Sequence, residues 1–474
     1  MSFALITQIT SPKIKAQRSK TKRQKPNENN PLSTTSNDQD IAVRCRRRVT
    51  RRLMPYLFVL YVIAYLDRVN VGFAAPGGMK TSLGFTDDII GFGAGIFFIG
   101  YVILEIPGSI LCEKWTARGW IARIMVSWGI LAILTGFIHS KNQFYIIRFL
   151  LGAAEAGFFP GIIVYLSHWF RYQDRAKAVA FLMAAISVSN IVGSPLSGLL
   201  LKINWLGIEG WRWMFILEGI PAIVMGIVTL FYLTDWPHQA TWLPKDEREW
   251  LIGELESEKS IKHAKHPLKI LEAFRHREVL LLTLAYFFMV TAVYGLNFWL
   301  PSILKKLSDF PTFIVSLIVA LPYCVGLVSI LVMGWHSDKT GERRWHTALS
   351  MMTTSLGLLL SVVAGDITPL AIAMFCLAAA GTAGYLPGFW ALPTSFLTGT
   401  AAAASIGLIN SFGNLGGFVG PYVVGYLSKR TDSYIGGILY LSLSALIASF
   451  LILALRATRK ERKPAAELKE VLAD

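Results

Sequence analysis

Residues 53–75 read LMPYLFVLYVIAYLDRVNVGFAA, an apolar run that carries Asp67 and Arg68. A second run, FYIIRFLLGAAEAGFFPGIIVYLSHWF at 144–170, carries Arg148 and Glu155. Either run is long enough to cross a hydrocarbon core of ~30 Å as a helix. An ionisable group at that depth costs at least ~2.5–3.5 kcal/mol on insertion scales. It persists where it faces a protein interior or a wet cavity and has a partner. Two cations and two carboxylates so placed predict a site that binds an anion and carries protons. The second half of the chain holds nothing comparable.

The rest of the chain has the same apolar character. Of 474 residues, 53% are apolar and 16% charged, and the mean hydropathy is +0.49. Twelve apolar runs recur, at 53–74, 89–112, 120–139, 144–170, 177–201, 213–233, 279–303, 311–334, 345–364, 367–397, 402–427 and 434–455. In lipid a backbone must satisfy its own polar groups, so runs of this length are helices. The fold class expected is an all-α polytopic membrane protein of twelve transmembrane helices in two six-helix bundles. The bundles occupy 51–234 and 278–457, joined by a polar linker at 235–277. A basic, disordered cytoplasmic tail at 1–50 and a cytoplasmic tail at 458–474 complete the organisation.

A net charge of +16 invites a nucleic-acid partner, but its distribution argues against one. Lys and Arg collect in the N-terminal tail, around Arg118 and Arg123, at Arg171, Arg175 and Lys177, in the linker, at Lys339, Arg343 and Arg344, and in the C-terminal tail. These are alternate connections on one side of a membrane; Lys305, Lys306, Lys429 and Arg430 are exceptions. The positive-inside bias puts both termini in the cytoplasm of a plasma-membrane protein. Residues 1–43 contain no apolar stretch ahead of a cleavage site, which argues against a secretory signal. Such a basic tail can meet anionic headgroups, without specificity. The four cysteines form no C-x-x-C pair and the eight histidines show no ligand spacing, so neither a metal nor a cofactor is expected. The expected partners are a small organic anion, protons and membrane lipid, with the chain working as a monomer.

The two halves repeat one another. Glu113, Lys114, Arg118 and Trp120 recur as Asp338, Lys339, Arg343 and Trp345, displaced by 225 positions. AEAGFFPG at 154–161 recurs as GTAGYLPG at 381–388, and Asn190 and Gly193 recur as Asn414 and Gly417. Near-constant displacement marks two parallel repeats with a substrate site between them. Features kept by both halves, such as Gly157 and Gly384, point to packing or bending. Arg148 and Glu155 meet Phe375 and Thr382 at the same displacement, so their charge exists in one copy only. That asymmetry favours ligand chemistry.

The segment GWHSDKTGERR at 334–344 resembles the cytoplasmic loop signature of the major facilitator superfamily. Its physical role is a tight turn with Asp338 near a helix N-terminus and basic groups pairing across the bundle. We read Glu113, Arg118, Asp338, Lys339 and Arg343 as a cytoplasmic latch; the first copy lacks the central glycine. Further segments, including YLDRVNVGFA (65–74), GWRWMFILEGIPAIVMG (210–226) and YGLNFWLPSILKK (294–306), resemble the anion:cation symporter family within that superfamily. With their companions they cover most of 50–460 and look closest to bacterial tartrate and organic-carboxylate permeases. The resemblance implies proton-coupled import of an organic anion. It supports the Asp–Arg pair of the first helix and the Arg–Glu pair of the fourth as the machinery.

Arg68 and Arg148 can each donate forked bonds to a carboxylate. The alternative role is to neutralise Asp67 and Glu155. Asp67 and Arg68 project about 100° apart on a helix, so one can face a cavity while the other contacts a neighbouring helix. Arg148 and Glu155 lie seven apart and share a face. Glu155, with Asp67 as a second site, is therefore the proton-coupling candidate. Tyr65, Tyr101, Asn297, Trp390, Asn410 and Asn414 are further candidates to line the site, with ordinary helix–helix bonding as the alternative for each. Glu105 and Glu218 read as latch or packing partners. No H-E-x-x-H or G-x-S-x-G appears, which argues against an enzyme. The reading is a secondary transporter importing a tartrate- or sugar-acid-like carboxylate by proton symport. Alternatives are an aromatic-acid permease, a sodium-coupled carrier, a uniporter or a transporter-like nutrient sensor.

Overall fold

A computed structural model describes residues 31–263, 276–396 and 399–456. The first half comprises α1 (Pro31–Ala74), α2 (Asp87–Lys114), α3 (Ala117–Thr135), α4 (Lys141–Glu155), α5 (Phe158–Ser167), α6 (Tyr172–Leu200) and α7 (Gly210–Tyr232). A polar helix, α8 (Lys245–His263), follows. The second half comprises α9 (Arg277–Leu307), α10 (Thr312–Thr340), α11 (Arg344–Val363), α12 (Thr368–Phe396), α13 (Gly399–Gly413), α14 (Gly416–Thr431) and α15 (Ile435–Leu453).

Two of the twelve apolar runs are broken helices. The run at 144–170 ends α4 at Glu155 and restarts as α5, because Gly157 takes φ +84°. Its repeat mate Gly384 stays inside the continuous α12, so the shared glycine does not mean a shared bend. The run at 402–427 is split into α13 and α14 by a two-residue turn at Asn414 and Leu415. Among the described residues, eleven segments are long and apolar enough to cross a membrane, the α4–α5 pair at Lys141–Ser167 counting as one of them. The α13–α14 pair occupies the remaining apolar run.

The expectation of a disordered tail at 1–50 fails from residue 31, where α1 begins. A helix already nucleated by its membrane span extends at little cost per residue. The extension finds carboxylates: Arg44 pairs with Asp246 at 3.2 Å, Arg46 with Asp174 at 3.3 Å and Arg48 with Glu247 at 3.0 Å. These contacts tie the start of α1 to α8 and α6. At the other end of the described chain, Arg456 approaches Glu278 in the first turn of α9. The linker helix and both described termini thus share one end of the molecule, called here the linker end.

Within each half, small residues let helices touch. A Cβ placed on Gly129 of α3 would stand 2.8 Å from the Gly219 carbonyl of α7, and the reverse distance is also 2.8 Å. Van der Waals packing of this kind drives association where lipid removes the hydrophobic advantage. Between the halves, α2 packs on α14 and α6 on α10, mostly at the far end. A Cβ on Gly91 would lie 2.5 Å from the Pro421 carbonyl. Asp87 completes this closure: its Oδ2 accepts from Ser428 Oγ at 2.8 Å and Tyr434 OH at 3.2 Å, and Oδ1 pairs with Lys80. Asp88 pairs with Lys429 at 2.9 Å.

Candidate functional site

The membrane-depth charges converge at mid-height, where α1, α2, α4 and α9 meet. Ser140 opens α4 by accepting from the Gln143 amide, and Gly157 ends its line, which places Arg148 mid-helix and Glu155 at the last turn. Asp67, Arg148 and Glu155 are each 3% exposed or less. Arg68 forms an ion pair with Glu155 and donates to Tyr294 OH of α9 at 3.2 Å. Its guanidinium also lies 5.3 Å from the rings of Tyr65 and Tyr101. Tyr65 OH meets Tyr294 OH at 3.4 Å. Arg68 and Tyr65 thus reach across from the first half to the second.

Arg148 has a different environment. Its Nε donates to the Gly93 carbonyl at 3.3 Å, and its guanidinium lies 5.0 Å from the Phe97 ring. Among the described residues no carboxylate stands within ion-pair distance of it. Arg68 and Arg148 border one small cavity with Val69, Ala94, Phe98, Tyr294, Asn297, Phe298 and Pro421. Its volume is about 10 Å³, room for about one water.

Asp67 points away from that cavity. Trp128 Nε1 of α3 donates to its Oδ2, and Asn70 Nδ2 donates to Oδ1 at 2.7 Å. The 100° offset between adjacent helical residues sends Arg68 to the cavity and Asp67 into the first bundle. Beyond Asn70 lies a further buried carboxyl, Glu218, which accepts from Ser197 Oγ at 3.0 Å. Among the described residues, Glu218 Oε2 and Asn70 Oδ1 are both buried acceptors without a hydrogen-bond donor.

The remaining candidates are scattered. Asn297 borders the cavity. Asn410 Nδ2 donates to Glu105 Oε1 at 2.8 Å, and Ser411 Oγ donates to Oε2 at 3.2 Å. Glu105 therefore links α2 to α13 across the halves. Trp390 packs edge-on against Tyr286, 5.1 Å between centroids, and is not among the residues that line the cavity. Asn414 forms the turn between α13 and α14, its amide donating to the Asn410 carbonyl at 3.0 Å. Asn70, Trp128 and Tyr294 were not anticipated. Asn70 follows Asp67 by three, a helical-neighbour spacing that could have flagged it; nothing local marks Trp128.

The latch region differs from expectation in detail. Gly341 makes the tight turn with φ +67°. Asp338 lies in the last turn of α10 and pairs with Arg343 at 2.5 Å, inside the loop. The carboxylate at the helix N-terminus is Glu342, whose Oε1 accepts from the Trp345 amide at 2.9 Å. The basic group that reaches across the bundle is Arg344, bonded to the Ile452 and Leu453 carbonyls at the end of α15. Lys339 rests 5.1 Å from the Trp335 ring. In the first half Arg118 pairs with Asp235 at 3.4 Å. The Glu113 side chain lies outside the described part.

Two helical bundles, broken helices at membrane depth and buried charges between the bundles define a polytopic membrane carrier. The sequence profile of the Major Facilitator Superfamily matches residues 57–421, and the chain belongs to that superfamily. An Agrobacterium vitis protein named "Putative tartrate transporter" is 42% identical over 425 residues, 90% of this chain and 97% of that one. The quinolone resistance transporter of Acinetobacter baumannii is 35% identical over 88% of this chain and 96% of its own. Among solved structures, a bacterial homologue of the human lysosomal transporter Spinster, inward-facing and unoccupied, superposes with TM-score 0.69. It is 16% identical and is covered over 95% of its length by 85% of this chain. That likeness establishes the fold.

Proposed function

We propose that the chain is a secondary active transporter that imports a small organic carboxylate by proton symport, through alternating access. The observation that carries this reading is Arg148, a buried cation bordering the central cavity with no carboxylate in ion-pair range among the described residues. A fixed cation at membrane depth calls for an anion, and a guanidinium matches a carboxylate bidentately. The family resemblance and the Agrobacterium vitis relative point to the same substrate class.

The Arg68–Glu155 pair supplies the coupling. A substrate carboxylate arriving beside Arg148 competes with Glu155 for Arg68. Leaving a buried carboxylate without its cation costs about 3–5 kcal/mol. Protonation of Glu155 removes that cost, so substrate and proton load together. Asp67 is the second proton site. Tyr65, Tyr101, Asn297, Asn410, Asn414 and Trp390 complete the substrate path as the cavity opens, while Glu113, Arg118, Asp338, Lys339 and Arg343 close the linker end. The density of basic residues at the linker end supports a cytoplasmic orientation of that end in the plasma membrane.

An aromatic acid is the second reading, favoured by Phe98, Tyr294 and Phe298 around the cavity. Proteoliposomes given a panel of labelled aliphatic and aromatic acids, with and without a pH gradient, test both. Gradient-stimulated uptake of a hydroxy-dicarboxylate supports the first; uptake confined to aromatic acids selects the second. Accumulation of no carboxylate by a folded protein defeats both.

A further inference from the structure

Five arginines of α1 wall one cavity at the linker end. Its volume is about 590 Å³, and its lining is Arg44, Arg47, Arg48, Arg51 and Arg52 with Tyr232 and Trp242. The spacing runs i, i+3, i+4, i+7, i+8, so the five share one helix face. Like charges at such spacing repel and destabilise an isolated helix. Arg44 and Arg48 are answered by Asp246 and Glu247. Among the described residues no ion pair is recorded for Arg47, Arg51 or Arg52. The Arg52 guanidinium lies 4.9 Å from both the Tyr232 and Trp242 rings, and among the described residues its buried Nε has no acceptor.

Topology alone asks for basic residues near the ends of spans; it does not ask for them on one face around a cavity. Arg46, in the same run, lies off that face and pairs with Asp174. The cavity also sits at the edge of the apolar surface. Leu53 begins the apolar stretch of α1 one residue after Arg52. Phe231, next to Tyr232, is 83% exposed, and Leu230 beside it is exposed too. Aromatic residues at such a boundary mark the membrane interface.

We propose that this cavity binds the phosphate headgroup of an anionic membrane lipid. Arg47, Arg51 and Arg52 donate to the phosphate oxygens, while acyl chains lie along Phe231 and Leu230. Guanidinium forks suit phosphate, and basic pockets beside membrane helices hold anionic headgroups. A soluble phosphate shares the headgroup chemistry but has no use for the exposed apolar flank.

Native mass spectrometry of the full chain in detergent tests this, with phosphatidylglycerol, phosphatidylcholine and inorganic phosphate as separate probes. The wild type should retain phosphatidylglycerol in preference to phosphatidylcholine. Arg47→Gln/Arg51→Gln should weaken that retention roughly 30-fold, from ~1 kcal/mol per basic residue at an anionic surface. Arg47→Lys/Arg51→Lys should keep most of it, and Arg46→Gln should leave it unchanged. Equal retention by wild type and the double Gln variant overturns the proposal. So does equal loss in Arg46→Gln, which would mean diffuse surface charge. Binding of inorganic phosphate without lipid preference would assign the cavity to a soluble ligand and overturn the lipid. Thermal unfolding of each variant without added lipid separates loss of the site from loss of the fold.

Discussion

Arg148 and Arg68 are both buried guanidiniums, yet their surroundings give them different tasks. Arg68 is held by Glu155 and Tyr294, whereas Arg148 donates to a carbonyl and lies over a ring. Arg148→Lys keeps the charge and loses the fork. Substrate binding should weaken by roughly 1.5–3 kcal/mol, the worth of a charge-assisted bond, read as a smaller ligand-induced thermal shift in detergent. Unchanged affinity would remove Arg148 from the site. Glu155→Gln separates coupling from binding. Uphill uptake driven by a pH gradient should be lost while counterflow exchange persists, because exchange needs no net proton movement. Stability should also fall, by at most about 3–5 kcal/mol, since Arg68 loses its buried partner. Full uphill uptake in the variant would place the proton elsewhere. The four charges were legible in the sequence because insertion cost makes each one conspicuous. Their pairing was not. Glu155 shares a helix with Arg148, but the tertiary packing of α1 on α4 hands it to Arg68.

At the scale of elements, the breaks in α4–α5 and α13–α14 bracket the machinery. Gly157 holds φ +84° directly after the helix that carries Arg148 and Glu155. Gly157→Ala should cost about 1–3 kcal/mol for an L-residue in that region, and the closeness of Gly108 Cα, 3.3 Å from the new Cβ, adds to it. A lower unfolding temperature with reduced transport is the expected result. An unchanged unfolding temperature would mean that the turn relaxes freely. The twelve apolar runs could be read from hydropathy alone, because span length is set by bilayer thickness. Whether a glycine in a run bends the helix could not. Gly157 and Gly384 occupy matching positions in the repeat, yet only Gly157 leaves helical geometry.

For the whole molecule, the closure at the far end decides which side the site can face. Asp87 and Asp88 bind Lys80, Ser428, Tyr434 and Lys429 there, and Thr86 Oγ1 also donates to Asp88. Asp87→Asn weakens the network at its centre and should shift the population toward opening at that end. A cysteine at Ala94, which borders the cavity, reports it once the four native thiols are replaced. Labelling of Ala94→Cys by an impermeant reagent outside intact cells should rise several-fold in the Asp87→Asn background. The same reagent should reach Asp366→Cys and miss Glu258→Cys if the linker end is cytoplasmic. The opposite pattern would invert the orientation, and no rise at position 94 would mean that Asp87 does not hold the closure.

Composition and periodicity determined the membrane class, the helical crossings, the two-fold repeat and the placement of four charges at membrane depth. Each follows from one-dimensional facts: the length of apolar runs, the near-constant displacement of matching residues, and the cost of charge in hydrocarbon. Tertiary structure decided which charge meets which, that Asp67 turns toward Trp128 and away from the cavity, and that Glu105 bridges the halves through Asn410 and Ser411. It also gathered the arginines of α1 around Tyr232 and Trp242. Those outcomes depend on how helices far apart in sequence rotate and approach. A side chain's partner is chosen by that rotation, which no single segment encodes.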